Sequence, residues 1–545
     1  MRFLKNTILK QFMMKNIWSV ITVMVLAALS ALGRIGGVRY VETITDMIQA
    51  QFPNGMGHFI ATVLLASGIM LEFYVSRVCA GIVATSIGEK LAVETRVRVV
   101  QHLAKIPFIR YEKYSTGELQ SILRNDISIA VETIDTVFNS IFSSVILVIL
   151  QACFMISLNM IAGIAVIVVG VGLSGMNHFV SKSYKKFQDT ERKAISELTS
   201  VVESTSHGMD TVKMYKAKGY VMNFFLKSKQ NYNKSTMNSA KIDTTSQGIY
   251  DFVSQGFFYI ILIYLGFLGI DGSMSLGQIL AFIAVYGDFI TPMWALLFAT
   301  RHYVAQCVAW QRVYDLLEVE EQEHADTGDD DGNIYTSIDK LEINNIGFSY
   351  DENTYILDDF SMTLTKGKSH VLIGGSGCGK TTFLKIMVGL YDTQKGDFFV
   401  DGHVAQRDRL FKSAVFVSSN NPLFTISIYD NITLGDRRIT RHMCDDLARR
   451  LGIGGWIDSL PDGLDTIITE DSKNISGGQQ QTINNMRALL SNSPIVIMDE
   501  PNSALDKDKE LRLSKMIDAM KAEKIILITS HRADMINYCD SVFHF

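Results

Sequence analysis

Val371-Leu372-Ile373-Gly374-Gly375-Ser376-Gly377-Cys378-Gly379-Lys380-Thr381-Thr382-Phe383 decides the architecture of the C-terminal half. Residues 374–381 fit G-x-x-x-x-G-K-[ST], the phosphate-binding loop. An apolar run, Val371–Ile373, leads in, and a helix-like run, Thr382–Met387, leads out. Strand, loop and helix in that order are the context in which the motif binds phosphate. Glycine has no Cβ, so the backbone can close around an anion. The N–H groups of the loop and of the following helix then face that anion. The motif predicts that Lys380 reaches the β- and γ-phosphates of ATP and that the Thr381 hydroxyl holds Mg²⁺. Gly374, Gly375, Ser376, Gly377, Cys378, Gly379 and Thr382 complete the expected ATP cradle, with Cys378 a small residue filling a variable position.

A second stretch supplies what the loop lacks. Ile495-Val496-Ile497-Met498-Asp499-Glu500-Pro501 is an apolar run ending in two acids. Continuous apolar runs mark buried parallel strands, and ligands bind at the carboxyl ends of such strands. The pattern assigns Asp499 to Mg²⁺ and Glu500 to the attacking water as general base. Short β-like runs alternating with helices predict an α/β domain here.

The first half reads differently. A chain of 545 residues is too long for one core. It is 48% hydrophobic, high for a soluble nucleotide-binding protein, and its net charge of −5 gives no argument for nucleic-acid binding. The six cysteines are scattered without metal-ligand spacing and are expected as reduced thiols. Residues 17–33 carry no charge and follow Arg2, Lys5, Lys10 and Lys15. Arg34 and Arg39 come next rather than a small-residue cleavage site, which predicts an uncleaved first span.

Thr136 to Met176 holds no Asp, Glu, Lys or Arg in 41 residues. One helix crosses the hydrocarbon with about 20, so this run must be a hairpin of two spans, turning at Ser157-Leu158-Asn159. With the runs starting at His58, Phe252 and Gly272, six helices are expected, at about 17–50, 58–105, 128–157, 159–205, 245–270 and 275–317. Basic residues gather before the first span, between the second and third (Lys90, Arg96, Arg98) and between the fourth and fifth (Lys182, Lys185, Lys186). The positive-inside rule puts those segments, and both termini, in the cytoplasm. The expected organisation is multi-domain: a six-helix α transmembrane domain over 1–317, an acidic linker over 318–337, and an α/β P-loop NTPase cassette over 338–545. Arg34, Glu72, Asp251 and Asp288, ionisable and within or beside spans, are functional candidates by default.

Asn474-Ile475-Ser476-Gly477-Gly478-Gln479 makes the likeness specific. With the two motifs above, the chain resembles an ATP-binding-cassette transporter subunit of the exporter type, a half-transporter with one membrane domain fused to one cassette. Ile475–Gln479 resembles that family's signature, in which Leu is usual at the first position. The resemblance implies that two cassettes pair head to tail. Ile475, Ser476, Gly477, Gly478 and Gln479 would then act on the partner's ATP. It further implies that Tyr350 stacks on adenine and that Ser503-Ala504-Leu505-Asp506 contacts the partner cassette. His531, after the strand-like run Ile525–Ser530, would orient the γ-phosphate and water, which makes Lys380, Glu500 and His531 the implied catalytic set. Glu470 resembles an acid near the membrane-domain contact, and Gly117-Glu118-Leu119 and Gly208–Lys213 resemble coupling regions.

Three departures stand out. Ser419 occupies the position of a family Gln that links the γ-phosphate and Mg²⁺ to the membrane domain. Gln480 and Thr482 stand where basic residues often follow the signature. The chain reaches Phe545 soon after His531, where the family usually adds a strand and helix, so a minimal cassette or an edge covered by the partner is expected. The implied activity is ATP hydrolysis coupled by alternating access to movement of a small amphipathic molecule: a peptide, drug-like compound or lipid. The working unit would be a homodimer or heterodimer of half-transporters in the plasma (inner) membrane bilayer, with no nucleic-acid partner. An exporter-fold importer of a metal-chelating compound and an ATP-switched membrane sensor are the alternative expectations. With the first span starting at Ile17, no peptidase domain for leader removal is expected.

Overall fold

A computed structural model describes residues 7–52, 55–321, 334–350, 355–375, 377–418, 421–469, 474–531 and 533–545. Ser376, Ser419, Glu470 and most of the linker lie outside the described residues, as do the side chains at 174, 176–186, 188, 189, 290, 294, 297, 298, 300, 301, 533 and 534. The chain divides into two units: Met1–Val100 with Thr116–Glu318, and Gln101–Ser115 with Val319–Phe545.

The first unit is helical. Its long helices are α1 (Ile17–Gln49), α2 (Met56–Leu103), α3 (Phe142–Leu158), α4 (Met160–His207), α5 (Lys218–Ile270) and α6 (Leu276–Leu317). Helical structure leads into α3 from Thr116, with two π-helical turns at Ile122–Asp126 and Asp135–Ile141. Among the described residues, five helices are long and apolar enough to cross a membrane: Ile17–Gln49, Met56–Leu103, Thr116–Leu158, Lys218–Ile270 and Leu276–Met293. Met160–Leu173 is a shorter apolar stretch at the start of α4. α2, α4 and α5 contain 48, 48 and 53 residues. At about 1.5 Å per residue, each exceeds twice the roughly 30 Å of hydrocarbon and must continue far beyond it.

Local chemistry sets the helix ends. Asn159 closes α3 and opens α4, its side chain accepting from the Ala162 N–H at 2.9 Å, an N-cap bond. α6 opens on a capping box between Ser275 and Gln278. Asp46 of α1 accepts from the Ser275 hydroxyl at 3.1 Å and the Gly277 N–H at 3.0 Å, a carboxylate where the helix dipole favours one. Met155, Val166, Leu265, Phe282, Val285 and Phe289 form a buried core joining α3 to α6. Lipid is as apolar as these side chains, so close packing and interhelical hydrogen bonds hold them. One such bond runs from the buried Tyr286 hydroxyl to the Ser254 carbonyl at 2.8 Å.

Among the described residues the second unit has nine strands: β1 (Lys340–Ser349), β2 (Tyr355–Thr365), β3 (Ser369–Ile373), β4 (Lys395–Val400), β5 (His403–Val404), β6 (Ala414–Val417), β7 (Ile495–Asp499), β8 (Ile525–Thr529) and β9 (Ser541–His544). β2-β1-β4-β5 form an antiparallel sheet, and β6-β7-β8-β3-β9 a parallel one. β7 and β8 are buried at every residue, which explains their unbroken apolar sequences. The register sets Asp499 beside Thr529, and Thr529 beside Leu372 of β3. The carboxyl ends of three strands therefore meet at the phosphate loop.

Candidate active site

The loop runs from β3 into α7 (Lys380–Met387), and Gly379 is the residue before the helix, at φ +108°. Only glycine adopts that conformation without strain, and a Cβ there would lie 2.8 Å from Ile356 Cγ2. Lys380 is buried, and its Nζ donates to the carbonyls of Gly374 and Gly375, both at 2.8 Å. The ammonium thus lies folded against the loop that would bind phosphate. Cys378 Sγ lies 3.8 Å from the same nitrogen. Among the described residues the loop brings together a glycine turn, a helix N-terminus and one cation, the elements that suit an anion.

Asp499, at the end of β7, is buried and accepts two hydroxyls: Thr381 at 3.2 Å and Thr529 at 2.5 Å. A carboxylate beside a hydroxyl, both oxygen donors, suits a hard cation such as Mg²⁺. Glu500 follows in the left-handed region at φ +50°, a strained conformation for a side-chain-bearing residue. Its backbone is fixed on both sides. The N–H donates to Thr529, to the hydroxyl at 3.0 Å and the carbonyl at 3.2 Å, and the Glu500 carbonyl accepts from Gln481 Nε2 at 2.7 Å. The reversal turns the carboxylate toward His531, whose Nε2 lies 3.4 Å from Glu500 Oε1. A carboxylate and an imidazole 31 residues apart in sequence, each partly exposed, are thereby brought side by side.

Ser476 caps α8 (Gly477–Leu490) in a reciprocal box: its hydroxyl oxygen accepts from Gln479 N–H at 3.2 Å, and Gln479 Oε1 accepts from Ser476 N–H at 2.7 Å. The Ser476 O–H remains available to donate to an anion. Ile475 packs on the cassette core, so an apolar residue is required there and either Ile or Leu serves. Gly478 lies so close to the following loop that a Cβ would be 2.9 Å from the Ala504 carbonyl oxygen. In that loop Leu505 is buried, and Asp506 caps α9 (Lys507–Met520).

Gln481 ties these pieces together, and sequence reasoning passed over it. Besides the Glu500 carbonyl, its Oε1 accepts from the Ala504 N–H at 2.8 Å and the Ser503 hydroxyl at 3.1 Å. The signal was present as a third Gln in Gln479-Gln480-Gln481. Gln481→Leu keeps the bulk but removes all three bonds. We expect ATP turnover to fall at least about tenfold, from roughly 0.5–1.5 kcal/mol for each of the three lost bonds, with ATP affinity nearly unchanged. Turnover and nucleotide binding measured side by side check this.

Tyr350 edges against Phe348 and Tyr391, with centroids 5.1 and 5.5 Å away at 85°. Its hydroxyl lies 3.1 Å from that of Thr382, and 49% of the residue is exposed, leaving a face open to a planar ring. Tyr391 hydrogen-bonds Glu112, which also accepts from Lys385 Nζ at 2.7 Å. Glu112 follows the helical turn Phe108–Tyr111, which belongs to this unit. Phe108 lies under Lys385, 5.1 Å from its nitrogen. These contacts lie upstream of Gly117–Leu119, the stretch picked out by resemblance. Burial alone would raise the Glu112 carboxyl, but Lys385 and Tyr391 outweigh it and hold the group below its ordinary value. A lowered pKa means the anchoring is complete above the unfolded carboxylate pKa and is lost as pH falls through the folded value. Glu112→Gln should loosen Gln101–Ser115 at neutral pH and abolish that acid dependence, readable by hydrogen exchange of the segment from neutral pH down to below the ordinary carboxylate range.

A phosphate cradle, paired acids and an opposing histidine on a chain with membrane-length apolar helices define an ATP-hydrolysing membrane transport subunit. Residues 20–293 match the family described as ABC transporter transmembrane region, and residues 357–503 that described as ABC transporter. The chain belongs to the ABC transporter family, as a multi-pass half-transporter of the exporter type that binds ATP. It is 28% identical to a probable ABC transporter ATP-binding/permease protein of Haemophilus influenzae, over 83% of this chain and 82% of that one. It is 26% identical to an ATP-dependent lipid A-core flippase of Syntrophus aciditrophicus (87% and 79% covered). It is 24% identical to the uncharacterized ABC transporter ATP-binding protein YfiC of Bacillus subtilis (97% and 89%).

Proposed function

We propose that two copies of this chain form an exporter of a small amphipathic molecule, with cassettes and termini in the cytoplasm of a cell bounded by this membrane. The observation that carries the reading is that one chain holds both halves of a composite site. Lys380, Thr381, Asp499, Glu500 and His531 gather at one place, and Ser476 caps a helix whose N-terminus and hydroxyl suit a partner's γ-phosphate. A chain so equipped can serve itself as partner.

In this reading Tyr350 takes the adenine ring, and Lys380 with the loop N–H groups takes the β- and γ-phosphates. Thr381 and Asp499 hold Mg²⁺, which when bound neutralises phosphate charge. Glu500 accepts the proton of the attacking water, and His531 orients it. Ser503–Asp506 meet the second cassette, and Gln481 joins that contact to the backbone of the base. Closure of two cassettes on two nucleotides drives the membrane helices between alternate openings. The flippase names of several relatives support the lipid end of the substrate range.

The test is ATP turnover by the purified chain in lipid vesicles, alone and with amphipaths, alongside uptake of the stimulating compound. Stimulated turnover with vectorial movement supports the reading. Turnover appearing only after another half-transporter is added would refute the homodimer.

A further inference from the structure

Asn484 and Asn485 stand side by side in the middle of α8, in Ile483-Asn484-Asn485-Met486. Asparagine is a poor residue for a helix interior, because its side chain competes for backbone hydrogen bonds. Here both are also buried, 3% and 1% exposed, and flanked by Ile483 and Met486 of the cassette core. Each donates one bond through Nδ2: Asn484 to the Asn421 carbonyl and Asn485 to the Pro501 carbonyl, both at 2.9 Å. Among the described residues, neither Oδ1 has a hydrogen-bond partner. A buried carbonyl oxygen without a donor costs free energy, and an apolar side chain in either place would remove that cost. Two adjacent positions therefore break the rules of helix and core at once. Such breaks are expected where function, not stability, sets the residue.

Their partners identify the task. Side chains four residues apart lie one above the other on a helix, so Gln480 and Asn484 share one face and Gln481 and Asn485 the next. On the first face, Gln480 Nε2 reaches the same Asn421 carbonyl as Asn484, at 3.3 Å. On the second, Gln481 holds the Glu500 carbonyl and Asn485 the next carbonyl along. Both gripped segments leave the parallel sheet at its carboxyl edge. Pro501 follows β7 and Glu500. Asn421 lies four residues beyond β6, whose last residue, Val417, is paired with Met498 of β7. The loop after β6 thus leaves the sheet beside Asp499, at the strand ends where ligands bind. The far end of that loop is pinned separately: Arg487 donates to the Asn431 carbonyl at 2.6 Å and to Asn431 Oδ1 at 2.9 Å. One helix therefore holds both loops beside Asp499, and Ser476 caps that same helix. Gln480, which departs from the basic residue often found after the signature, belongs to the clasp.

We propose that Asn484 and Asn485 are positioning residues for ATP hydrolysis. Through them the movement of Ser476 onto the partner's nucleotide is passed, as one displacement of α8, to the turn that carries Glu500 and to the loop after β6. This rests on the composite-site reading above and adds to it how the signature of one site is joined to the base of the other.

The experiment uses the full chain in phosphatidylcholine nanodiscs and reads phosphate release against ATP concentration, ATP binding and the thermal midpoint. Asn484→Leu removes the donor and the unpartnered oxygen together, while Gln480 still holds the Asn421 carbonyl. Its midpoint should be unchanged or raised, its ATP affinity within about twofold, and its kcat lowered about fivefold with KM little changed. Asn484→Leu/Gln480→Met, which leaves Asn421 no donor from α8, should lower kcat about tenfold or more. Asn484→Leu/Gln480→Lys, which keeps one N–H donor of sufficient reach, should stay at the level of Asn484→Leu. Asn485→Leu should lower kcat in the same way and keeps the test decisive if Asn484→Leu fails to fold. A residue that only filled the core would move the midpoint and leave kcat alone. Full turnover by the folded variants, equal loss in the Met and Lys doubles, or a kcat that falls only where the midpoint falls with it, overturns the proposal. Ser476→Asp separates it from the reading beneath. Aspartate caps a helix as well as serine does, but it sets a carboxylate against the partner's γ-phosphate. Loss of turnover in Ser476→Asp with full turnover in Asn484→Leu/Gln480→Met leaves the composite site standing and refutes the positioning role. Undiminished turnover in Ser476→Asp refutes the composite site itself, and the transmission with it.

Discussion

Glu500→Gln is expected to lower ATP turnover at least about a hundredfold while ATP affinity stays within about twofold. Loss of a general base typically costs about 10²–10⁴ in rate. The amide is nearly isosteric, so it cannot accept the proton of water but fills the same space. The backbone that aims the side chain is held independently, by Thr529 at the N–H and Gln481 at the carbonyl, so the reversal at φ +50° persists. Neither anchor involves the carboxylate. The measurement is phosphate release beside nucleotide binding on the same preparation. Full turnover by the variant would remove Glu500 from the chemistry.

Lys380→Met should instead strongly weaken binding. The lysine stem is buried, and methionine can follow the same path, so the cassette core should survive. What disappears is the ammonium, within 2.8 Å of two loop carbonyls and placed to turn toward a polyanion. Unit charges about 4 Å apart at an effective dielectric of about 20 interact by roughly 4 kcal/mol, an upper bound of about three decades in affinity. We expect ATP affinity to fall about a hundredfold or more, with the thermal midpoint of the nucleotide-free chain little changed. Retained affinity would mean that the loop N–H groups alone carry the phosphates. The two variants separate the steps: one keeps binding and loses turnover, the other loses binding.

The cassette was legible because its chemistry is written locally. The phosphate loop, the acids after β7 and the signature are each contiguous, since one strand–loop–helix turn must wrap a phosphate and one strand end must present its acids. The membrane half was legible for a different reason: forty-one residues without a charge can satisfy their backbone in lipid only as helices. The π-turns before α3 escaped notice, because one extra residue in a helical turn leaves no periodic trace in an apolar run. Gln481 escaped because its three partners lie 19–23 residues away, across a register set only when β7 and α8 pack.

Composition, period and contiguous motifs were sufficient for the class of fold and the presence of an ATP cradle, because both arise from local backbone geometry and from the cost of burying charge. Which side chains meet was a matter for the tertiary structure. Glu500 reaches His531 through a strained backbone reversal, Glu112 reaches Tyr391 across 279 residues, and Arg34 finds Asp288 across 254. Those pairings depend on strand order, helix phase and packing, which distance along the chain does not encode.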